Sequence, residues 1–371
     1  LEVVDDAEVS DAFKNTMKAW AYYWKGLSYS RIGSLYEVGL IVDTYNETNN
    51  NYISYTAILD EAAANFDNSI TILNSMSASD ADYNDVMEYL IPTETKLGKG
   101  GVPTPAEWIR AMNTYKARNI LANKYAKDLT AADLAAIKSL ADNGIQANDK
   151  IFTVRSATIN SLVWGTPFWT PGRSILGWEN VSDRLVQDFK TGDLRKDRNV
   201  VEKSTWRVNP SGRGFQYGTR WDPVAAEANG GEWFSTGYGT VEMPLACSYE
   251  ENLLMLAECA IRSNDIETGL GYIDDVRNYQ NAGLAPVRGT GLNLDQALEE
   301  LRRERRIGLF LNYVGFYDAR RWEVIKDVSQ GGGRTGAVVV LGENYPGLPG
   351  AVDFKATINY NHLARFHVPA V

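Results

Sequence analysis

Cysteine and histidine are almost missing from these 371 residues: the chain holds only Cys247, Cys259, His362 and His367. Two cysteines exclude a disulfide framework and a cysteine-rich zinc site. If one helix carried both, their twelve-residue spacing would separate them by about 18 Å, far beyond disulfide reach. Cys259, among Leu256, Ala257 and Ala260, reads as a small buried hydrophobe. The two histidines, both near the end of the sequence, exclude a histidine-based metal site or catalytic triad. No apolar run approaches the roughly 20 residues that span a bilayer. The first residues, Leu1-Glu2-Val3-Val4-Asp5-Asp6, show neither an apolar signal region nor a lipobox cysteine. Positive charge is also in deficit. With 37 Lys and Arg against 47 Asp and Glu, the net charge is −10, which argues against a nucleic-acid partner. Phosphate-cradling loops, a Gly-x-Ser-x-Gly elbow and an EF-hand loop are absent as well.

What is present reads as a helical frame. Hydrophobic content of 44% and charged content of 23% are those of an ordinary globular protein. The length allows a large core or two or three sub-domains. Residues 10–43 place Phe13, Met17, Trp20, Trp24, Leu27, Ile32, Leu35 and Tyr36 at helical spacing. A polar break, Tyr45 to Asn51, has loop composition. Ile58, Leu59, Ala62, Phe66, Ile70 and Leu73 then predict a helix over 55–73. Pro92 to Pro105, with three glycines, reads as a linker, and 108–125 with 131–140 as another helical pair. Residues 249–279 fit the small-and-large pattern of a tetratricopeptide unit. Ala257 and Gly269 stand at the two positions where paired helices cross closely.

Between 150 and 245 the helical period fades. Six of the ten tryptophans fall there, with many glycines to supply turns. Irregular segments of that length inside a compact domain are usually functional.

The densest pattern runs from Glu304 to Trp322: Glu304-Arg305-Arg306, Phe310-Leu311, then Phe316-Tyr317-Asp318-Ala319-Arg320-Arg321-Trp322, read as a helix that alternates arginine pairs with aromatics. It resembles the C-terminal signature helix of the SusD/RagB family. Gly308, Asn312 and Tyr313 stand where that family usually has Glu, Glu and Gly. The stretch 182–198, with Gly192-Asp193-Leu194-Arg195, and the closing Phe366-His367-Val368-Pro369 resemble further family segments. The resemblance implies an all-α, tetratricopeptide-like scaffold of helical pairs with a loop-rich, aromatic-rich ligand-binding insertion. The expected division is a helical scaffold over 1–149, the insertion over 150–245, tetratricopeptide-like helices over 246–330 and a loop-rich tail over 331–371. It further implies a surface lipoprotein of the outer membrane, with a lipid-anchored segment expected ahead of Leu1. Such a protein captures oligosaccharide or polysaccharide without cutting it and passes it to a SusC-like TonB-dependent transporter. No cofactor or metal is implied.

Sugar rings have apolar C–H faces and hydroxyl edges, so flat aromatic surfaces and Asn, Asp or Arg side chains together can replace their water. By position and chemistry the candidate platforms are Trp206, Tyr217, Trp221, Trp233, Tyr238 and Tyr45, with Asn51, Arg220 and Asp222 for the edges. The same aromatics could instead seal small cores. A RagB-type peptide binder, a helical protein-interaction scaffold and a glycoside hydrolase remain open. The hydrolase would need paired carboxylates, for which Glu232 with Asp222 is the nearest set.

Overall fold

Side-chain caps set the start of most of the long helices. The structure, a computed structural model, describes residues 2–5, 7–44, 47, 49–96, 98–155, 181–208, 218–223, 242–310, 312–330, 332–333, 338–341, 352–355 and 364–368. After a single turn α1 (Glu2–Asp5), the frame runs α2 (Asp11–Leu35), α3 (Tyr55–Leu73), α4 (Ala81–Leu90), α5 (Pro105–Ala122) and α6 (Ala131–Asp142). Ser10, Ser54, Asp80, Thr104 and Thr130 accept from the backbone N–H three residues on, satisfying donors that a helix start leaves orphaned. Short α7 (Asp183–Val186) and α8 (Leu194–Asn199) precede α9 (Tyr249–Arg262), α10 (Ile266–Tyr279), α11 (Leu294–Gly308) and α12 (Gly315–Arg321). The strands form two-stranded antiparallel ribbons. They pair β1 (Val38–Gly39) with β2 (Ile53–Ser54), β3 (Thr153–Arg155) with β6 (Glu242–Pro244), β4 (Val200–Val208) with β5 (Gly218–Pro223), and β7 (Val338–Leu341) with β8 (Val352–Lys355). The fold is therefore mostly helical, as the spacing predicts.

Small residues let the helices close on one another. A Cβ on Gly26 of α2 would lie 2.8 Å from ring carbons of Phe66 on α3. In the tetratricopeptide-like pair, a Cβ on Gly269 of α10 would fall 2.4 Å from Ile261 Cγ1 and 2.9 Å from the Ala257 carbonyl of α9. That is the close crossing expected from the small residues at 257 and 269. The main core gathers Tyr23, Phe66, Tyr83, Met87, Trp108, Met112 and Phe152. Tyr23 and Phe152 meet the Trp108 ring edge-on, with centroids 5.6 and 5.5 Å away, the arrangement aromatic quadrupoles favour. Both cysteines are buried and free. Cys247 precedes α9, so the two do not share a helix.

The expected single helix over 304–322 is two helices. The chain leaves α11 after Gly308 and re-enters at Gly315, with Tyr313 held at φ 61°. Left-handed backbone suits glycine, the family's usual residue there; a bulky side chain adopts it rarely. Three arginines that flank the break are not solvated. Arg305, Arg320 and Arg321 are all buried.

Their charges are matched by carboxylates from distant segments. Arg195, beside the cap of α8, donates to Asp193 at 2.8 and 3.0 Å and pairs with Glu304 of α11. Arg277 of α10 reaches the other oxygen of Glu304 at 2.8 Å. Burial opposes the charge on Arg195, but Glu304 and Asp193 more than restore it and hold its pKa above the ordinary guanidinium value. A second set joins Arg321 to both oxygens of Glu258 on α9, at 2.8 and 2.7 Å, and to Asp318 at 2.7 Å. Arg305 takes the remaining oxygen of Asp318 at 2.8 Å. Burial alone would push the Glu258 carboxyl up, yet Arg321, Arg262 and Arg305 bring it down to about 2 from the usual 4.5.

Two outcomes follow from this chemistry. Glu304→Gln leaves Arg195 and Arg277 without their shared counter-charge. It should lower the unfolding free energy by about 3–5 kcal/mol, read as a lower urea midpoint at unchanged slope. Glu258 has a depressed folded pKa, so its contribution is complete above the unfolded value near 4.5 and is lost as pH falls toward about 2. Denaturation followed by circular dichroism should show stability declining across that acid window, and Glu258→Gln should flatten the decline.

Candidate functional site

Of the sequence-predicted platforms, the structure describes the hairpin β4–β5, which gathers Trp206, Arg220, Trp221 and Asp222. Its register sets Val201 opposite Asp222 and Glu202 opposite Trp221, then shifts before Arg207 pairs with Thr219. The expectation of outward rings is not met here. Trp206 is only 8% exposed, with the Arg220 guanidinium 5.2 Å from its ring centroid. Arg220 itself pairs with Glu202 at 2.6 Å. Trp221 is half-buried against Val181, Leu185, Val186 and Val200, and Lys196 Nζ stands 4.9 Å from its ring. Trp221 thus seals a small satellite core, because a two-stranded ribbon must bury one face against something. The backbone of Asp222 is in the hairpin, while Tyr45, Tyr217, Trp233, Tyr238 and Glu232 lie outside the described residues. Asn51 is exposed on the stretch leading into β2, where its N–H donates to Asn49 Oδ1 at 3.0 Å.

An aromatic surface that the sequence reading missed lies at the end of α2. Tyr36 leaves the helix in extended backbone and forms a parallel bridge with Phe366. The Phe366 N–H donates to the Leu35 carbonyl at 2.7 Å, and the Glu37 N–H donates to the Phe366 carbonyl at 3.1 Å. Phe316, from the first turn of α12, lies against Phe366 with the rings 9° from parallel and 6.3 Å between centroids. Tyr36 also meets Phe366, with ring centroids 6.0 Å apart. These three rings are 39%, 37% and 50% exposed, an open ledge assembled from three parts of the chain. Polar groups border it, with His367 Nδ1 2.5 Å from Glu37 Oε2. The Arg31 guanidinium stands over half-exposed Tyr313, 5.6 Å from its centroid. The ribbon β1–β2 begins beside Tyr36, and Asn51 and Tyr52 lead into its far strand.

Two arginines fix the ledge from below. Arg320 donates to the carbonyls of Ser34 at 2.5 Å, Ala122 at 2.8 Å and Ala364 at 3.2 Å, and to Asn123 Oδ1 at 3.1 Å. It thereby ties the ends of α2 and α5 to the C-terminal segment. Arg365 donates to the Gly33 carbonyl at 2.6 Å and Asn123 Oδ1 at 2.9 Å and covers the Tyr55 ring at 3.5 Å. Burial, and then the neighbouring Arg365, pull Arg320 down to about 10. It stays protonated at neutral pH. Among the described residues no group of three or more His, Cys, Asp and Glu is arranged to hold a metal ion. Nor is any described helix long and apolar enough to cross a membrane.

The model of the SusD family matches residues 178–357, a span that holds both the Gly192–Arg195 motif and the signature segment. The chain is SusD-like. Its fold is shared with a SusD-like protein from Bacteroides fragilis at 13% identity, over 98% of this chain and 78% of that one, with a TM-score of 0.60. A SusD superfamily protein from Bacteroides vulgatus matches at 15% identity, over 85% and 69%, with a TM-score of 0.57. A SusD-like carbohydrate binding protein from Bacteroides fragilis matches at 17% identity, over 91% and 72%, with a TM-score of 0.54. No curated protein matches the sequence. In this SusD-like chain the signature residues thus work as fasteners: Arg320 holds the segment that presents Phe366.

A lysine at position 320 has one ammonium for four acceptors. In Arg320→Lys the amides of Glu37 and Phe366 should exchange with deuterium at least tenfold faster, while those of α9 and α10 keep their rates. Hydrogen-exchange mass spectrometry reads both.

Proposed function

We propose that this chain captures oligosaccharide at the cell surface without cutting it and passes it to a SusC-like TonB-dependent transporter. The observation that carries the reading is the open ledge of Tyr36, Phe316 and Phe366, bordered by Glu37 and His367. Flat rings facing water can cover the C–H face of a sugar, and the charged border can exchange its water for hydroxyls. Shallow contacts of this kind are individually weak, so an extended glycan gains affinity by meeting several at once. The SusD-like fold adds support, as does its likeness to a structure described as a carbohydrate binding protein.

In this reading 1–149 and 246–330 are frame, and 150–245 adds ligand contacts, for which Tyr217, Trp233 and Tyr238 are the candidates. The tail 331–371 returns to complete the ledge. Asn51 would extend it from the ribbon side, and Tyr45 is a further aromatic candidate. Localisation as an outer-membrane surface lipoprotein, and the hand-off to a transporter, rest on family resemblance.

Calorimetric titration against a panel of neutral and acidic oligosaccharides tests the reading. Phe366→Ala and Tyr36→Ala should each weaken the best ligand about three- to tenfold, the worth of one aromatic contact, whereas Arg220→Ala on the hairpin should have a smaller effect. No reducing sugar should be released. Binding of peptides but of no glycan would move the chain to the RagB-type reading.

A further inference from the structure

A cleft of about 360 Å³ opens where α11, the turn Ala126–Asp128 and the end of α12 converge. Its volume lies within the range of ligand pockets. The apolar part of its lining is Trp322, Leu298 and Leu301, and the polar part includes Lys127, Glu299, Arg302 and Glu323. None of these belongs to the ledge or to the hairpin.

The two guanidiniums at the Trp322 ring are held very differently. Arg321, 4.4 Å from the ring centroid, is buried and locked by Glu258 and Asp318. Arg302, at 5.3 Å, has a side chain 37% exposed and meets Glu299 at only 3.5 Å. Arg302 can therefore leave the ring at little expense, since a long exposed ion pair contributes well under 1 kcal/mol. Most of the lining charges are already matched, Lys127 with Glu323 at 2.7 Å, Arg302 with Glu299 and Arg262 with Glu258, while Asp295 adds a carboxylate at the start of α11. An isolated ion would gain little net attraction there. A wholly apolar ligand would strip water from four charged groups. A molecule with one apolar face and hydroxyls on its edge suits both parts, because a hydroxyl donates to Glu299 or Glu323 and accepts from Lys127 or Arg302.

We infer that this cleft is a second carbohydrate site, taking a neutral pyranose ring that stacks on Trp322 in the place of Arg302. The inference rests on the glycan-capture reading above. A second contact on the frame would let one long glycan, or two chain ends, be held at two points.

The test follows the Trp322 indole N–H in nitrogen–proton correlation spectra, assigned by its loss in Trp322→Phe. The same oligosaccharide panel is titrated into the wild type, Phe366→Ala and Leu298→Trp, the last of which fills the cleft. Neutral oligosaccharides should move the indole signal in the wild type and equally in Phe366→Ala. Leu298→Trp should weaken the response at least tenfold while leaving affinity at the ledge within twofold. A panel member that binds the ledge with the Trp322 signal unmoved at saturation overturns the second site and spares the first. A response that vanishes in Phe366→Ala also overturns it, because the signal would then report the ledge. Tighter binding of oligogalacturonate than of any neutral sugar at the cleft would overturn its neutral selectivity. If no sugar binds anywhere, the capture reading falls and this inference falls with it.

Discussion

Buried guanidinium groups, each needing a carboxylate or a carbonyl from elsewhere in the chain, are the constraint on which this architecture depends. An ion left unpaired in a protein interior is costly, so each buried arginine dictates where other segments must be. Arg195 fixes the short α8 against α11 through Glu304, and Arg277 brings α10 to the same carboxylate. Arg321 joins α12 to α9 through Glu258. Apolar packing makes these helices cohere, but it is permissive about register. The ion pairs are not, because a bidentate guanidinium accepts its partner in one plane and at one distance.

The same logic extends outward from the core to the surface. Arg320 is satisfied chiefly by backbone carbonyls, which come from the ends of two helices and from the C-terminal segment. A side chain that bonds to backbone fixes the path of the chain whatever side chains that path carries. The rings presented above can therefore differ while their mounting stays the same, and binding specificity can change without refolding the frame. This separation of mounting from contact suits a scaffold that offers ligands a shallow, exposed surface.

Much of the frame was legible because it is periodic. The stripe from Ile58 to Leu73 marked a helix that spans Tyr55–Leu73, and the small residues at 257 and 269 marked a helix crossing that the backbone confirms. The break inside 304–322 was not legible, since its apolar spacing runs on while the backbone leaves the helix between Gly308 and Gly315. The site was least legible of all. Tryptophan density drew attention to the hairpin, where Trp206 proves buried. The open rings are instead Tyr36, Phe316 and Phe366, each unremarkable in its own neighbourhood and significant only once three distant segments meet. Composition reports which side chains are available, whereas exposure depends on long-range pairing.

The bridge between Tyr36 and Phe366 joins positions about 330 residues apart, and this bears on how the protein matures. Helices of the first half can form while the chain is still being synthesised, since their contacts are local. The aromatic surface cannot, because its central ring is made some 330 residues after the helix it covers. Until then the end of α2 lacks its covering strand. The binding face is thus completed only after the helical frame has been made, and a product cut before Phe366 would keep most of its helical body with the ledge unfinished.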